Sequence, residues 1–334
     1  MRAVVLVGGF GTRLQPLTFT TPKTLLPVGQ KTMLEHVLGH LGRHGVSDVV
    51  LSIGFKPDAF LAAFPSGTCA GVRLDYAVEP EPLDTAGAIR FAAKHAGFDE
   101  PFVVVNGDVL TDLDVRALVD LHHTKGGAAT IHLTPVDDPS AFGVVSTDAH
   151  GQVLAFIEKP TRGEAPTNLV NAGTYVLDAS VLDLIPGDRR VSIERETFPI
   201  LVERGTLYAM PTDDYWLDAG RPDLYLRANL DAVAGVRVNV LEPAIAATAR
   251  VEGGAVLDGA IVGPGAVVAG GATVRRSLVM AGASIGRGAL LDDTIIGVDA
   301  SVGDGASLTS CVIGDAVDVA PGAVLTGARV PEPA

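Results

Sequence analysis

Cysteine is nearly absent from this sequence. The two thiols, Cys69 and Cys311, lie far apart, and neither belongs to a CxxC pair or a ligand-spaced cluster. That speaks against a structural zinc site and for a reducing compartment. Aromatic residues are scarce at 5%, so Ala, Val and Gly carry most of the 47% hydrophobic content. No apolar run is long enough to cross a bilayer. The opening Met1-Arg2-Ala3-Val4-Val5-Leu6-Val7 turns at Gly8, too soon for the apolar region of a signal peptide. The expectation is a soluble, cytoplasmic protein without a membrane partner. Positive charge is also short: the net charge is −14, which argues against nucleic acid as a partner. An anionic substrate would need local cations or a metal. At 334 residues the chain exceeds one ordinary core, and two domains are expected.

The last third is a repeat. Val251, Val268, Ile285, Val302 and Val319 stand 17 residues apart. So do Leu257, Val274, Leu291, Leu308 and Leu325, and so do Val262, Val279, Ile296 and Ile313. Each repeat thus places aliphatic residues at steps of 6, 5 and 6. A helix cannot use that spacing, and neither can a hairpin. It suits a three-sided coil whose short strands each point one aliphatic residue inward, with small residues at the corners. The pattern resembles the left-handed parallel β-helix of hexapeptide repeats, and the handedness rests on that resemblance. Such helices often host acyltransferases with a general-base histidine. All eight histidines here lie between His36 and His150, so that chemistry is excluded and the repeat reads as a spacer or an oligomerisation surface.

The preceding two thirds alternate. Ala3–Val7, Val49–Ile53 and Phe102–Val105 read as buried strands. Met33–His44, Thr85–Ala96 and Val115–His123 read as helices. This order predicts an open, mostly parallel sheet that binds ligands at the carboxyl ends of its strands. Strands near 128–133, 143–146, 153–157 and 174–177 lack long helices between them and suggest a lobe closing over the sheet. Ser192–Glu203 is expected to be one helix, and 224–233 the last before the repeat. The division expected is a catalytic domain over 1–236 and a repeat domain over 237–334.

After the first strand comes GGFGTRLQPLTFTTPK, Gly8 to Lys23. A Walker loop is missing, since GxxxxGK[ST] does not occur. A dinucleotide fingerprint is missing too, because Leu14 stands where the third glycine belongs. What remains is either a glycine turn with a solvated Arg and Lys, or a loop that holds a triphosphate. In the second case Gly8, Gly9 and Gly11 admit phosphates close to the backbone. Arg13 can fork onto phosphate oxygens, Lys23 adds a point charge, and Pro16 and Pro22 stiffen the segment.

This stretch resembles the signature GGxGTRLxPLTxxxPK of the sugar-1-phosphate nucleotidyltransferases. The segment Glu79–Gly87 (EPEPLDTAG) is similar to that family's EEEPLGTAG, and Asn106-Gly107-Asp108 to its NGD metal motif. Phe156–Pro160 (FIEKP) resembles F-x-EKP, and Asn171-Ala172-Gly173 resembles NAG. SIERETFP from Ser192 and YWLDAG from Tyr215 are similar to stretches of the GDP-mannose pyrophosphorylases, the mannose-1-phosphate guanylyltransferase branch, many of which end in a β-helix. The resemblance covers nearly the whole chain.

The resemblance implies a Rossmann-like α/β nucleotidyltransferase domain followed by the β-helix. It also implies Mg²⁺-dependent transfer of a nucleotidyl group from GTP to mannose-1-phosphate, giving GDP-mannose and pyrophosphate. Arg13 and Lys23 would act on the phosphates, and Asp108 and Asp218 would hold the metal. Leu6, Gly8, Gly9, Gly11, Thr12, Glu79, Asp84, Thr85, Ala86 and Gly107 would bind the nucleotide. Gly143, Glu158, Lys159 and Asn171 would take the sugar phosphate. Glu79 stands where some thymidylyl relatives have a base-binding glutamine, and a carboxylate can accept guanine N1–H and N2–H₂ together. Asp84 departs from the family's glycine, which leaves base choice open. Glucose-1-phosphate or heptose-1-phosphate with another nucleotide, or a non-catalytic regulatory homologue, are the alternatives. A homo-oligomer through either domain is expected.

Overall fold

The computed structural model describes residues 1–161 and 163–333. By its contacts the chain forms two compact units. One comprises Met1–Gly9 and Leu34–Trp216, the other Phe10–Met33 and Leu217–Ala334.

The first unit is built on a ten-stranded sheet. Its strands are β1 (Arg2–Leu6), β2 (Asp48–Ile53), β3 (Thr68–Cys69), β4 (Val72–Val78), β5 (Phe102–Asn106), β6 (Ala129–Pro135), β7 (Gly143–Thr147), β8 (Val153–Glu158), β9 (Leu169–Leu177) and β10 (Leu207–Pro211). The order is β8-β7-β9-β5-β1-β2-β4-β3, with β6 joining β9 to β10. β1 runs parallel to β2 and β5, and β2 parallel to β4. Those central strands are continuous aliphatic runs because both faces are covered: Ala3, Val4, Val103 and Val104 have no exposed surface. Helices α1 (Met33–Arg43) and α2 (Asp84–His95) fall between them in sequence, the βαβ order that parallel neighbours require, and α3 (Val115–Lys125) follows β5. Ala86, Ile89, Ala92 and Ala93 of α2 join Val4, Val50 and Val104 in one core.

Two expectations need correction. The strands after residue 128 form no separate lobe; they extend the same sheet. The nine-residue β9 pairs antiparallel with β5 through Thr174–Leu177 and with β7 through Val170, so one long strand continues the sheet. Its pairing with β6 slips between Asn171 and Tyr175. Gly173 there has φ +74°, and a β-carbon on it would lie 2.7 Å from Nδ2 of Asn106. Nor is Ser192–Glu203 a single regular helix. Ile193–Thr197 forms a π turn that runs into α4 (Phe198–Glu203). Pro199 has no N–H to give the carbonyl four residues back, so regular α pairing cannot run through this point.

The second unit contains the repeat, α5 (Pro222–Ala234) and the segment 10–33. The repeat folds into three parallel sheets of five strands each, with every strand paired to the one 17 residues on, as in Val268↔Ile285, Val274↔Leu291 and Val279↔Ile296. This agrees with the expected β-helix. Val268, Val274, Val279, Ile285, Leu291, Ile296, Val302, Leu308 and Ile313 are buried in one column. Val330 adds a fifth member to the third set, opposite Ile313. Val251 is exposed because its strand begins its sheet and has a neighbour on one side alone. The corners are left-handed, and one of them is built without glycine in three coils: Arg276, Asp293 and Ser310 have φ of 38°, 48° and 53°. Arg276 there reaches Asp292 and Asp293 at 2.8 Å.

Candidate functional site

In the first unit the chain leaves β1 at Leu6, whose carbonyl accepts the Gly107 N–H at 2.9 Å. The two strand ends carrying the glycine loop and the NGD triplet are therefore tied directly. Gly8 follows in a tight place. A β-carbon there would lie 2.9 Å from the Gly54 nitrogen and 3.2 Å from Oε1 of Glu79. No larger residue fits between that backbone and that carboxylate. Glu79 itself is fixed: Ser52 Oγ donates to Oε1 at 2.9 Å, and the Leu83 N–H donates to Oε2 at 3.1 Å. Its N–H is held by the Ile53 carbonyl. Gly9 differs, with no atom within 4 Å of where a β-carbon would stand.

Asp84 opens α2 with φ +61°. A glycine would adopt this conformation without strain, and Asp manages it with a local bond from the Thr85 N–H to Oδ1 at 2.8 Å. Asp84 thus holds a backbone angle that a glycine reaches more easily. The Thr85 hydroxyl donates to Glu194 at 2.8 Å and accepts the Ile193 N–H at 2.8 Å. The Ala86 N–H goes to the Val191 carbonyl. Thr85 thus joins α2 to the π turn, and Ala86 joins it to Val191, two residues before that turn.

The expected sugar-phosphate residues come together. Gly143 lies opposite Glu158 in register, and a β-carbon on it would meet the Phe156 ring at 2.6 Å and Glu158 Oε2 at 3.0 Å. Lys159 has φ 49°, donates its N–H to the Phe142 carbonyl, and brings Nζ to 3.6 Å from Glu158. Asn171 donates to the Tyr175 hydroxyl at 2.9 Å and accepts the Gly173 N–H. Burial raises the Glu158 carboxyl above its usual range; Glu194 adds to that and Lys159 opposes it. The buried Tyr175 phenol is pushed well up by burial, with Glu194, Glu158 and Asp108 adding to it. Asp108 is half-buried and within electrostatic reach of that phenol.

Sequence reasoning missed Glu194 and Tyr175. Glu194 accepts from Ser192 Oγ as well as from Thr85, both at 2.8 Å. Its signal was the SIERE phrase, which a regular helix would have shown merely as a polar turn. Tyr175 lay four residues beyond Asn171 in a strand, where period 2 places both on one face; the intervening bulge prevents a simple count.

In the second unit Gly11 has φ +63°, and a β-carbon there would meet Thr18 Cγ2 at 2.9 Å and Lys23 Cβ at 3.1 Å. Thr12–Leu14 form a single tight turn with Thr12 and Arg13 exposed. The Arg13 guanidinium lies 3.9 Å from Asp218, whose Oδ1 accepts the Gly220 N–H at 2.9 Å. Lys23 is half-buried at the start of a further turn, Lys23–Leu25. Asp218 belongs to this unit and Asp108 to the other. Among the described residues no cluster of three or more His, Cys, Asp or Glu could hold an ion by itself. No helix among the described residues is long and apolar enough to cross a membrane.

Two family profiles match this chain, and the first takes in residues of both units. The profile of the Nucleotidyl transferase family matches residues 2–234, and that of the GMPPB C-terminal domain matches 240–333. The mannose-1-phosphate guanylyltransferase of Mycobacterium tuberculosis is 40% identical over 268 residues, 80% of this chain and 72% of that protein. The mannose-1-phosphate guanyltransferase of Debaryomyces hansenii is 42% identical over 230 residues, 68% of this chain. The match spans 63% of the D. hansenii protein, less than two thirds of its length. Among solved structures, HddC from Yersinia pseudotuberculosis complexed with GMP-PN aligns with a TM-score of 0.59 at 29% identity, covering 68% of this chain and 97% of that one.

Proposed function

We propose, this chain being a member of the nucleotidyl transferase family, that it transfers a guanylyl group from GTP to mannose-1-phosphate, releasing pyrophosphate. A phosphate oxygen of the sugar-1-phosphate attacks the α-phosphorus of GTP. That P–O bond forms as the bond to the β-phosphate oxygen breaks, and the electron pair leaves on pyrophosphate. Little covalent work falls to the protein, which has to align two anions and neutralise the charge that develops. Arg13 is assigned to the departing phosphates and Lys23 to the α-phosphate. Gly8, Gly9, Gly11, Thr12, Gly107, Leu6, Asp84, Thr85 and Ala86 are assigned to the nucleotide. Glu158, Asn171 and Gly143 are assigned to the sugar and Lys159 to its phosphate.

Enzymes of this family generally use a divalent metal, and Mg²⁺ is the ion proposed here, with Asp108 and Asp218 as its carboxylates. When bound, it would offset phosphate charge in a protein whose net charge is −14. The relatives named for mannose-1-phosphate support the sugar, and the GMP-PN complex of the Yersinia protein supports the base. The domain division at residue 236, a cytoplasmic setting and a homo-oligomer are part of the same reading.

The observation that carries the choice of base is the fixed carboxylate of Glu79. Two protein donors hold it, one on each oxygen, and each oxygen keeps lone-pair capacity for a further donor. Guanine offers two adjacent N–H donors; uracil and thymine offer one. The test is pyrophosphate release with Mg²⁺, mannose-1-phosphate and each of GTP, ATP, UTP and dTTP, for the wild type and for Glu79→Gln. GTP is expected to be preferred, and the variant to lose roughly 10- to 100-fold of that preference. An unchanged GTP-to-UTP ratio in the variant would sink the assignment. Turnover with glucose-1-phosphate or heptose-1-phosphate instead would replace the sugar. Silence with every pair would leave the regulatory homologue.

A further inference from the structure

Segment 10–33 bears Arg13 and Lys23, yet it belongs to the same compact unit as the β-helix. Its first half, from Arg13 to Thr20, is bonded to the two C-terminal coils. Arg329, in the last strand of the third sheet, donates Nη1 to the carbonyl of Arg13 at 3.0 Å and to that of Gln15 at 3.4 Å. One coil earlier, Asp315 accepts the Thr20 hydroxyl. Between these points Pro16 packs on Gly314, where a β-carbon would come within 3.1 Å of Pro16 Cβ and 3.2 Å of Pro331 Cδ. The other end of the segment is tied elsewhere: Asn229 of α5 accepts the Gly29 N–H at 2.9 Å, and Lys31 meets Glu242 at 2.7 Å.

We infer that Arg329 is a positioning residue for nucleotide binding, and that the last coils of the β-helix form the seat on which the Arg13 loop is set. The inference rests on the reading that this loop binds a nucleoside triphosphate. The Arg13 side chain is 61% exposed, with Asp218 at 3.9 Å as a loose partner. An exposed arginine points where its backbone aims it. Here the carbonyl of that same residue is the atom Arg329 grips. The other carbonyl gripped, Gln15, closes the Thr12–Leu14 turn. One guanidinium therefore fixes both the residue that bears the cation and the end of the turn that presents it. Thr20 on Asp315 and Pro16 on Gly314 stop the loop from rotating about that grip. On this account the repeat is more than a spacer, because its final coil orients a phosphate-binding group through the backbone.

The test uses Arg329→Met, which keeps the stem and removes the donors, and Arg329→Lys, which restores one. Hydrogen–deuterium exchange of peptides covering 10–26 reads the seat directly, without turnover. Arg329→Met is expected to raise exchange there while the buried β-helix strands stay protected. With the triphosphate that the wild type uses, kcat/KM should fall about tenfold or more, chiefly through KM for the nucleotide rather than for the sugar phosphate. Arg329→Lys should recover part of both effects. Unchanged exchange over 10–26 in Arg329→Met would overturn the inference. So would a loss of protection spread evenly through the β-helix, which would make Arg329 merely a stabiliser of the terminal coil. A wild type inactive with every nucleotide would defeat the functional reading alone, and the exchange data would still decide the seat.

Discussion

Arg13 and Asp218 meet over a missing side chain. A β-carbon on Gly220 would stand 2.7 Å from the Arg13 guanidinium and 2.8 Å from Oδ1 of Asp218. The glycine that ends the YWLDAG stretch is thus the floor on which the proposed phosphate-binding cation and a proposed metal ligand are set side by side. A pair of this kind, 3.9 Å apart with the Arg13 side chain 61% exposed, adds little to stability. Its value lies in placement.

Gly220→Ala tests that placement. The added methyl must displace Arg13, Asp218 or both. A misplacement of this size is expected to lower kcat/KM by about 100-fold. Thermal melting should move little, because Arg13 is free to swing into solvent. Steady-state kinetics beside a melting curve checks both, and an unaltered kcat/KM would show that the pair's spacing does not matter.

Asp84 holds φ +61° at the head of α2. Asp84→Gly should relieve the left-handed strain and raise stability by about 0.5–1 kcal/mol. Asp84→Val should lower it by more, since a β-branched residue tolerates that backbone worst. Urea unfolding of the two variants against the wild type measures the order, and a Val variant as stable as the Gly variant would contradict it.

His132 lies in β6, fully buried, with Nε2 at 2.8 Å from the Thr212 hydroxyl and Nδ1 without a partner. Burial lowers its pKa from 6.5 to about 4. The unfolded chain therefore takes up a proton near pH 6.5 that the folded chain refuses until about pH 4. Its contribution is full above about pH 6.5 and is lost as pH falls from there to about 4. The most this group can cost over that window is about 3 kcal/mol. Urea unfolding at pH 7.5, 6 and 5 should show the wild type losing stability faster than His132→Gln, which cannot charge. Parallel curves would remove His132 as the cause.

Much of the fold was legible because it rests on period. The 17-residue spacing of Val268, Ile285 and Val302 is the register itself, as each strand pairs with its copy one coil on. The aliphatic runs at β1, β2 and β5 marked strands covered on both faces. The candidate site was legible residue by residue, through the resemblance of short phrases, but its joins were not. That Ser52 and Leu83 fix Glu79, that Glu194 binds Thr85, and that Tyr175 stands by Asn171 all depend on pairs 27, 4, 109 and 4 residues apart. No local pattern encodes such pairs, and the two short ones pass through a turn and a bulge.

The sequence by itself determined the repeat, the alternation of strands and helices, and the set of charged groups available for phosphate chemistry. Side-chain period and the restricted backbone choices of glycine and proline operate over a few residues and can be read there. Only the tertiary structure decided that the strands after 128 extend one sheet, that Asp84 holds a backbone angle that a glycine reaches more easily, and that the Arg13 loop is seated on Asp315 and Arg329. Those outcomes depend on which distant groups can satisfy one another's hydrogen bonds once the chain is compact, and Arg329 is 316 residues away from the carbonyl it grips.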